Sequence, residues 1–172
     1  IIYIEEMAVS YAVESTQGDW WLINSDGRVV EQTTANAASS HTKVLGVKLD
    51  SPIEGNDAVA ANDVPQETLE SGEAVPQAVT GAQRLSSALQ ILKALEANDI
   101  VGQAASVDVS SLEDVTLWYG SRYEVMLGDT AKMEYKIACM NDAILDLSEY
   151  QSGILDISFR TWPDQVGYTP FG

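Results

Sequence analysis

One cysteine and one histidine are spread over 172 residues, with nine basic residues and no apolar run near the roughly 20 residues of a membrane span. Each scarcity excludes something. The lone thiol, Cys139, has no intrachain partner, so no disulfide framework organises the fold. The lone histidine, His41, is the sole side chain on which a Ser-His-Asp or Cys-His site could be built, and it lies in a polar stretch that reads as solvated. One Cys and one His cannot close a four-ligand zinc shell without carboxylates. Cys139 falls beside an apolar helical stripe and reads as a small packed hydrophobe.

Basic charge is equally thin. Nine Lys and Arg stand against 26 Asp and Glu, for a net charge of −17. Such a surface repels phosphate backbones and an anionic leaflet, so nucleic acid is not an expected partner. It also keeps a protein soluble, which is the plainer reading of the excess. The phosphate-cradling patterns G-x-x-x-x-G-K-[ST] and G-x-G-x-x-G do not occur. The acidic stretch EGNDAVAANDVPQE lacks the D-x-[DN]-x-[DN]-G frame of a calcium loop. Carboxylates are plentiful enough for a two-acid glycosidase on composition alone. Yet Glu5-Glu6 and Glu113-Asp114 read more simply as strand-edge and turn charges. A non-catalytic protein without cofactor or metal is expected.

The chain does carry apolar residues, 45% of the total, enough for the core of one ordinary domain. It opens on Ile1 inside the β-branched run IIYIEE, as expected of a segment of a longer protein. Residues 1–5 and 9–13 read as short strands. Trp20–Ile23 and Arg28–Glu31 form a hairpin around Ser25-Asp26-Gly27. Residues 32–43 look like a loop, and KVLGVKLD is an apolar piece interrupted by Gly46. Residues 54–80 are acidic and rich in Ala, Asn and Pro, and read as an excursion. Leu85, Leu89, Leu92 and Leu95 fall on one face of a helix that Asn98 closes. AASVDVS alternates as a strand, and DVTLWYG and YEVMLG form a hairpin around Gly120-Ser121-Arg122. A second helix is expected to start near Asp129 or Thr130, with Met133, Ile137, Met140, Ile144 and Leu147 as its stripe. A strand-like run, Ile154–Phe159, follows Gly153. The order predicts an α+β domain: a mixed, mainly antiparallel sheet with two α-helices packed on one face.

These short features, in this order, resemble the extracytoplasmic part of the FtsQ/DivIB family of bacterial cell-division proteins. IIYIEEMAVSYAV is similar to the junction between the last strand of a POTRA domain and the first strand of the β domain. The Pro-x-Ala frequent there is replaced by Val9-Ser10-Tyr11-Ala12. WWLINSDGRVVEQ resembles the family's apolar run, turn and return strand. KVLGVKL resembles the Pro-x-apolar-x-Gly segment without its proline, and VTLWYGSRYEVMLGD the strand pair before the second helix. ILDISFRTWPDQVGYTP resembles the Asp-x-Arg-aromatic strand and the Val-x-aromatic-x-Pro tail, with Ser158 where Arg is common. The match runs from about residue 1 to 170, apart from 54–80, which reads as an insertion. It implies a POTRA remnant at 1–6 and a β domain at 7–170.

The resemblance implies a scaffold on the outer face of the cytoplasmic membrane at the septum, its parent anchored by one transmembrane helix. FtsB/DivIC-like and FtsL-like proteins are the implied partners, one of them pairing with the last strand. Asp156, Ser158, Phe159, Arg160, Val166 and Tyr168 are the partner-binding residues it implies. Independently, a strand at the end of a run of elements has one sequence neighbour and suits a sheet edge, whose unpaired N–H and C=O groups template strand addition. Alternation puts Leu155, Ile157 and Phe159 on one face, so Phe159 serves either the core or the partner. An alternative function is a cell-wall polysaccharide-binding module that stacks sugars on Trp20, Trp21 and Trp118.

Overall fold

The computed structural model describes residues 10–61, 80–147, 151–159 and 165–171. The proposed POTRA remnant at 1–6, residues 62–79 of the excursion, and Arg160 lie outside them. Nine strands form one mixed sheet: β1 (Tyr11–Ser15), β2 (Trp20–Ile23), β3 (Val29–Thr33), β4 (Thr42–Leu49), β5 (Ala104–Asp108), β6 (Val115–Tyr119), β7 (Tyr123–Gly128), β8 (Gly153–Asp156) and β9 (Gly167–Pro170). Their spatial order is β3-β2-β1-β4-β5-β6-β7-β8-β9. Pairings β1–β4, β4–β5 and β7–β8 are parallel and the rest antiparallel. The expected α+β architecture is what the chain adopts.

One register row explains the core. Val13, Val44, Val107, Leu117, Val125 and Leu155 are successive cross-strand partners, all buried, and Tyr168 continues the row on β9. Period-two alternation puts these side chains on one face. Helices α2 (Gly81–Ala97) and α3 (Met133–Asp146) cover that face and touch each other. On α2, Leu85, Ile91, Leu92 and Leu95 are buried, and each gains about 1.5–3 kcal/mol by leaving water. A capping box adds about 1 kcal/mol more: Thr80 accepts from the Gln83 amide, and the Gln83 side chain accepts from the Thr80 amide. Packing rather than capping therefore decides that this helix forms. Its Glu96 accepts the hydroxyl proton of fully buried Tyr11 at 2.5 Å and that of Ser25 at 3.0 Å. Burial, and then the hydrogen bond and charge of Glu96, push the Tyr11 phenol far above its ordinary pKa.

Three sequence expectations need correction. The stretch read as loop, 32–43, contains a short helix, α1 (Ala35–Ala38), and the start of β4. Thr34 caps α1, and Ala38 covers Ala12 and Leu22 on the opposite sheet face. The second helix begins at Met133, not near Asp129. The Asp129 carboxylate accepts from the Ala131 amide in a preceding turn, and the chain passes through a left-handed Lys132 before winding. Lys136, buried on α3, holds that turn by donating to the Asp129 carbonyl and carboxylate at 2.9 and 3.0 Å. Finally, the Ile154–Phe159 run is regular strand only over Gly153–Asp156, and it is not the sheet edge. The chain folds back as β9 and covers it.

Between β1 and β4 the sheet splits. Val13 pairs with Val44, but Glu14 pairs with Lys48, so β4 bulges through Leu45–Val47. Gly46 takes φ +88 there, and its carbonyl accepts from Arg84 Nε at 3.0 Å. A Cβ on Gly46 would stand 2.3 Å from the Ser110 backbone nitrogen. Both the torsion and the space therefore require glycine.

Candidate functional site

An open sheet exposes two edges, here β3 and β9. They are treated differently. β3 carries a bulge at Val30, opposite the Leu22–Ile23 step. The segment Gly55–Ala58 straps its outer side: the Val29 amide donates to Asn56 O at 2.8 Å, and the Gly55 amide to Val29 O at 2.9 Å. Ala58 closes the strap by donating to Gly27 O at 2.7 Å. Glu31 and Gln32, beyond the strap, are exposed and polar. A bulge, a strap and a charge are the usual defences of an edge.

Among the described residues β9 has no bulge, strap or charge and no strand pairs with its outer side; its shortness and Pro170 are what blunt it. Hydrogen bonds around it fix which groups face outward. Gly153 and Ile157 donate toward β7, to Arg122 O and Met126 O, each at 2.9 Å, and Phe171 donates inward to Ser152 O at 3.2 Å. In an antiparallel pair, alternate residues turn their N–H and C=O to the partner. Ile154 and Asp156 therefore bond with Thr169 and Gly167, whereas Tyr168 and Pro170 turn their backbone groups away from β8. Tyr168 presents a donor and an acceptor, and Pro170 an acceptor alone. A proline is tolerated at that outward position because no sheet bond needs its missing N–H.

β9 is held close against β8. Tyr168 lays its half-buried ring over Gly153 and donates its hydroxyl to Ser152 O at 2.9 Å. A Cβ on Gly153 would meet Thr169 O at 2.2 Å and the Tyr168 ring at 2.9 Å. Phe171 stacks on Trp118 across the other face, ring centroids 6.4 Å apart.

The residues expected to bind a partner divide between the two faces. Val166 and Tyr168 lie together beside the core on the helix side. Phe159 is on that side too, at φ +60, with its ring 5.8 Å from that of Tyr135 on α3. It packs against the core while remaining half-exposed. Asp156 falls on the opposite face, and accepts from the Ser158 amide at 3.0 Å and hydroxyl at 2.6 Å, which ends β8 in a tight turn. Ser158 thus serves Asp156. Sequence reasoning missed Gly153, Ser152, Phe171 and the backbone of Pro170. Only the proline carried a signal, as an edge-strand residue.

The three tryptophans do not build one platform. Trp21 packs on the core side, its indole N–H buried without an acceptor among the described residues, whereas Trp20 lies on the other face beneath Lys43 Nζ at 5.2 Å. Trp118 is engaged with Phe171. Cys139 is half-buried against the core, and His41 is half-buried just before β4. Comparison of the chain with protein-family models, curated proteins and solved structures finds no significant match.

Proposed function

We propose that this chain is the extracytoplasmic β domain of an FtsQ/DivIB-type division scaffold, and that β9 is the edge to which a partner segment adds a strand. The observation that carries the reading is the contrast between edges: β3 is bulged and strapped, whereas β9 presents Tyr168 outward without a cover among the described residues. Main-chain bonds at Tyr168 supply affinity, and side chains beside them supply specificity. The resemblance supports the partners, FtsB/DivIC-like and FtsL-like division proteins, and the place, the outer face of the cytoplasmic membrane at the septum. The domain acts there by holding its partners and performs no catalysis.

The test pairs two variants against the extracytoplasmic segments of those partners from the same cell. Tyr168→Ala removes the ring; Tyr168→Pro removes the ring and the outward N–H. The proline variant should bind at least about tenfold more weakly than the alanine variant, since a lost backbone bond and a blocked approach together cost more than 1.4 kcal/mol. Equal affinities, measured by calorimetry on variants of matched thermal stability, refute strand addition at this edge.

A further inference from the structure

Beside β9, the sheet face opposite the helices carries a second surface. Two register rows define it. One runs Ser106, Trp118, Glu124, Ile154, Thr169 across β5 to β9; the other runs Asp108, Thr116, Met126, Asp156, Gly167. Core residues alternate with these along every strand, so the rows point away from the helices. α1 covers only the β1–β2 end of this face. The remainder exposes apolar surface at its centre: Met126 is 40% and Phe171 44% exposed, flanked by half-buried Trp118 and Ile154. The charges in the two rows are all acidic, namely Asp108, Glu124 and Asp156. None of the three has a salt-bridge partner among the described residues. The nearest base along the rows, Lys43 on β4, is drawn over Trp20.

We infer that this face, from β6 to β9, receives the continuation of the partner chain that pairs with β9, and that this continuation is an amphipathic segment with an apolar stripe flanked by lysines or arginines. The inference rests on the reading of β9 as the docking edge. Three observations point to this occupant. An apolar centre whose charged neighbours in the two rows, among the described residues, are all carboxylates is complementary to an apolar stripe rimmed by cations and repels an acidic one. Four strands spaced about 4.8 Å apart span about 14 Å, enough to seat one helix about 10–12 Å across with its side chains. The face is continuous with the edge, because Thr169 of β9 belongs to the same row as Ile154 and Trp118. A second copy of this chain is a poor occupant, since it brings the same carboxylate rim and a net charge of −17.

The test uses the whole chain and the purified extracytoplasmic segment of its FtsB/DivIC-like partner. Binding is measured at low and high salt for wild type, Met126→Lys, Glu124→Lys and Tyr168→Pro, each first checked for native thermal unfolding. Met126→Lys and Glu124→Lys should each weaken binding at least tenfold, and Glu124→Lys should also flatten the salt dependence. If both bind within twofold of wild type while Tyr168→Pro loses binding, the edge stands and the face is not used. No binding by wild type overturns the scaffold reading and this inference together. A wild-type dimer in sedimentation that Met126→Lys dissolves assigns the face to a second copy and overturns the inference as well.

Discussion

Replacing Gly153 by alanine adds a single methyl at the point where β8 and β9 approach most closely. Without a clash the substitution should stabilise the protein by about 0.4–1 kcal/mol, because alanine has fewer unfolded conformations to lose. Gly153 is not in the left-handed region, so its backbone torsion gives no reason to resist. The space does. The new Cβ would lie 2.2 Å from Thr169 O and 2.9 Å from Pro170 Cα, both backbone that cannot rotate aside, and 2.9 Å from the Tyr168 ring. Restoring an ordinary carbon–oxygen contact moves β9 outward by about 1 Å, which lengthens hydrogen bonds of about 2.9 Å past their useful range. The Ile154–Thr169 pair is nearest, and each bond lost there costs about 0.5–1.5 kcal/mol. The net expectation is a destabilisation of about 1–3 kcal/mol, the usual cost of overpacking. For a chain of this size that lowers Tm by about 2–12 °C. Urea unfolding gives ΔΔG at unchanged m-value, and hydrogen exchange localises it to the amides of Gly167, Thr169 and Phe171. A variant as stable as wild type or more so, with unchanged exchange in β9, refutes the close β8–β9 approach and the edge geometry built on it.

Two further outcomes follow from the core and the bulge. Gly46→Ala meets both a left-handed backbone and the Ser110 nitrogen at 2.3 Å, and should cost at least about 3 kcal/mol in urea unfolding, more than either strain alone. Tyr11 should make stability fall in alkali. Its folded pKa is raised, so its contribution is complete below the unfolded value of about 10 and is lost above it, at up to about 1.4 kcal/mol per pH unit. Tyr11→Phe should flatten the stability profile above pH 10 by that slope, and identical slopes refute the buried hydroxyl–Glu96 bond.

Elements that bury a periodic face were legible in the sequence. Leu85, Leu92 and Leu95 fall at i, i+7 and i+10 on one helical face because all three enter one core, and the β6–β7 hairpin alternates because only one face is buried. Elements that exist through pairing alone were not. β9 reads Gly-Tyr-Thr-Pro, with two residues that disfavour strands, and becomes a strand because β8 offers it a ladder. Its neighbour reads as the edge for the same reason: nothing local in Ile154–Asp156 tells that the chain will return beside it. The start of α3 is not legible because Asp129 looks like a helix cap and does act as a cap, but for the turn before the helix. At the candidate site, Tyr168 and Val166 were visible as side chains. The determinants at Gly153 and Pro170 are backbone properties, a missing Cβ and a missing N–H, which acquire meaning only once two strands lie side by side.

Pro170 also fixes the phase of anything that joins the sheet. Within β9, an incoming strand finds a full donor–acceptor pair at Tyr168 alone, with a bare carbonyl two residues on. A slip by one pleat repeat centres the newcomer on Pro170, where it forfeits a bond that nothing in the sheet replaces. Two β9 edges meeting antiparallel around Tyr168 would each bring such a gap, so self-pairing forfeits two bonds where a foreign strand forfeits one. A single ring at the rim of the sheet thus works as a ratchet stop: it favours one register over its neighbours and one guest over a chain of identical hosts.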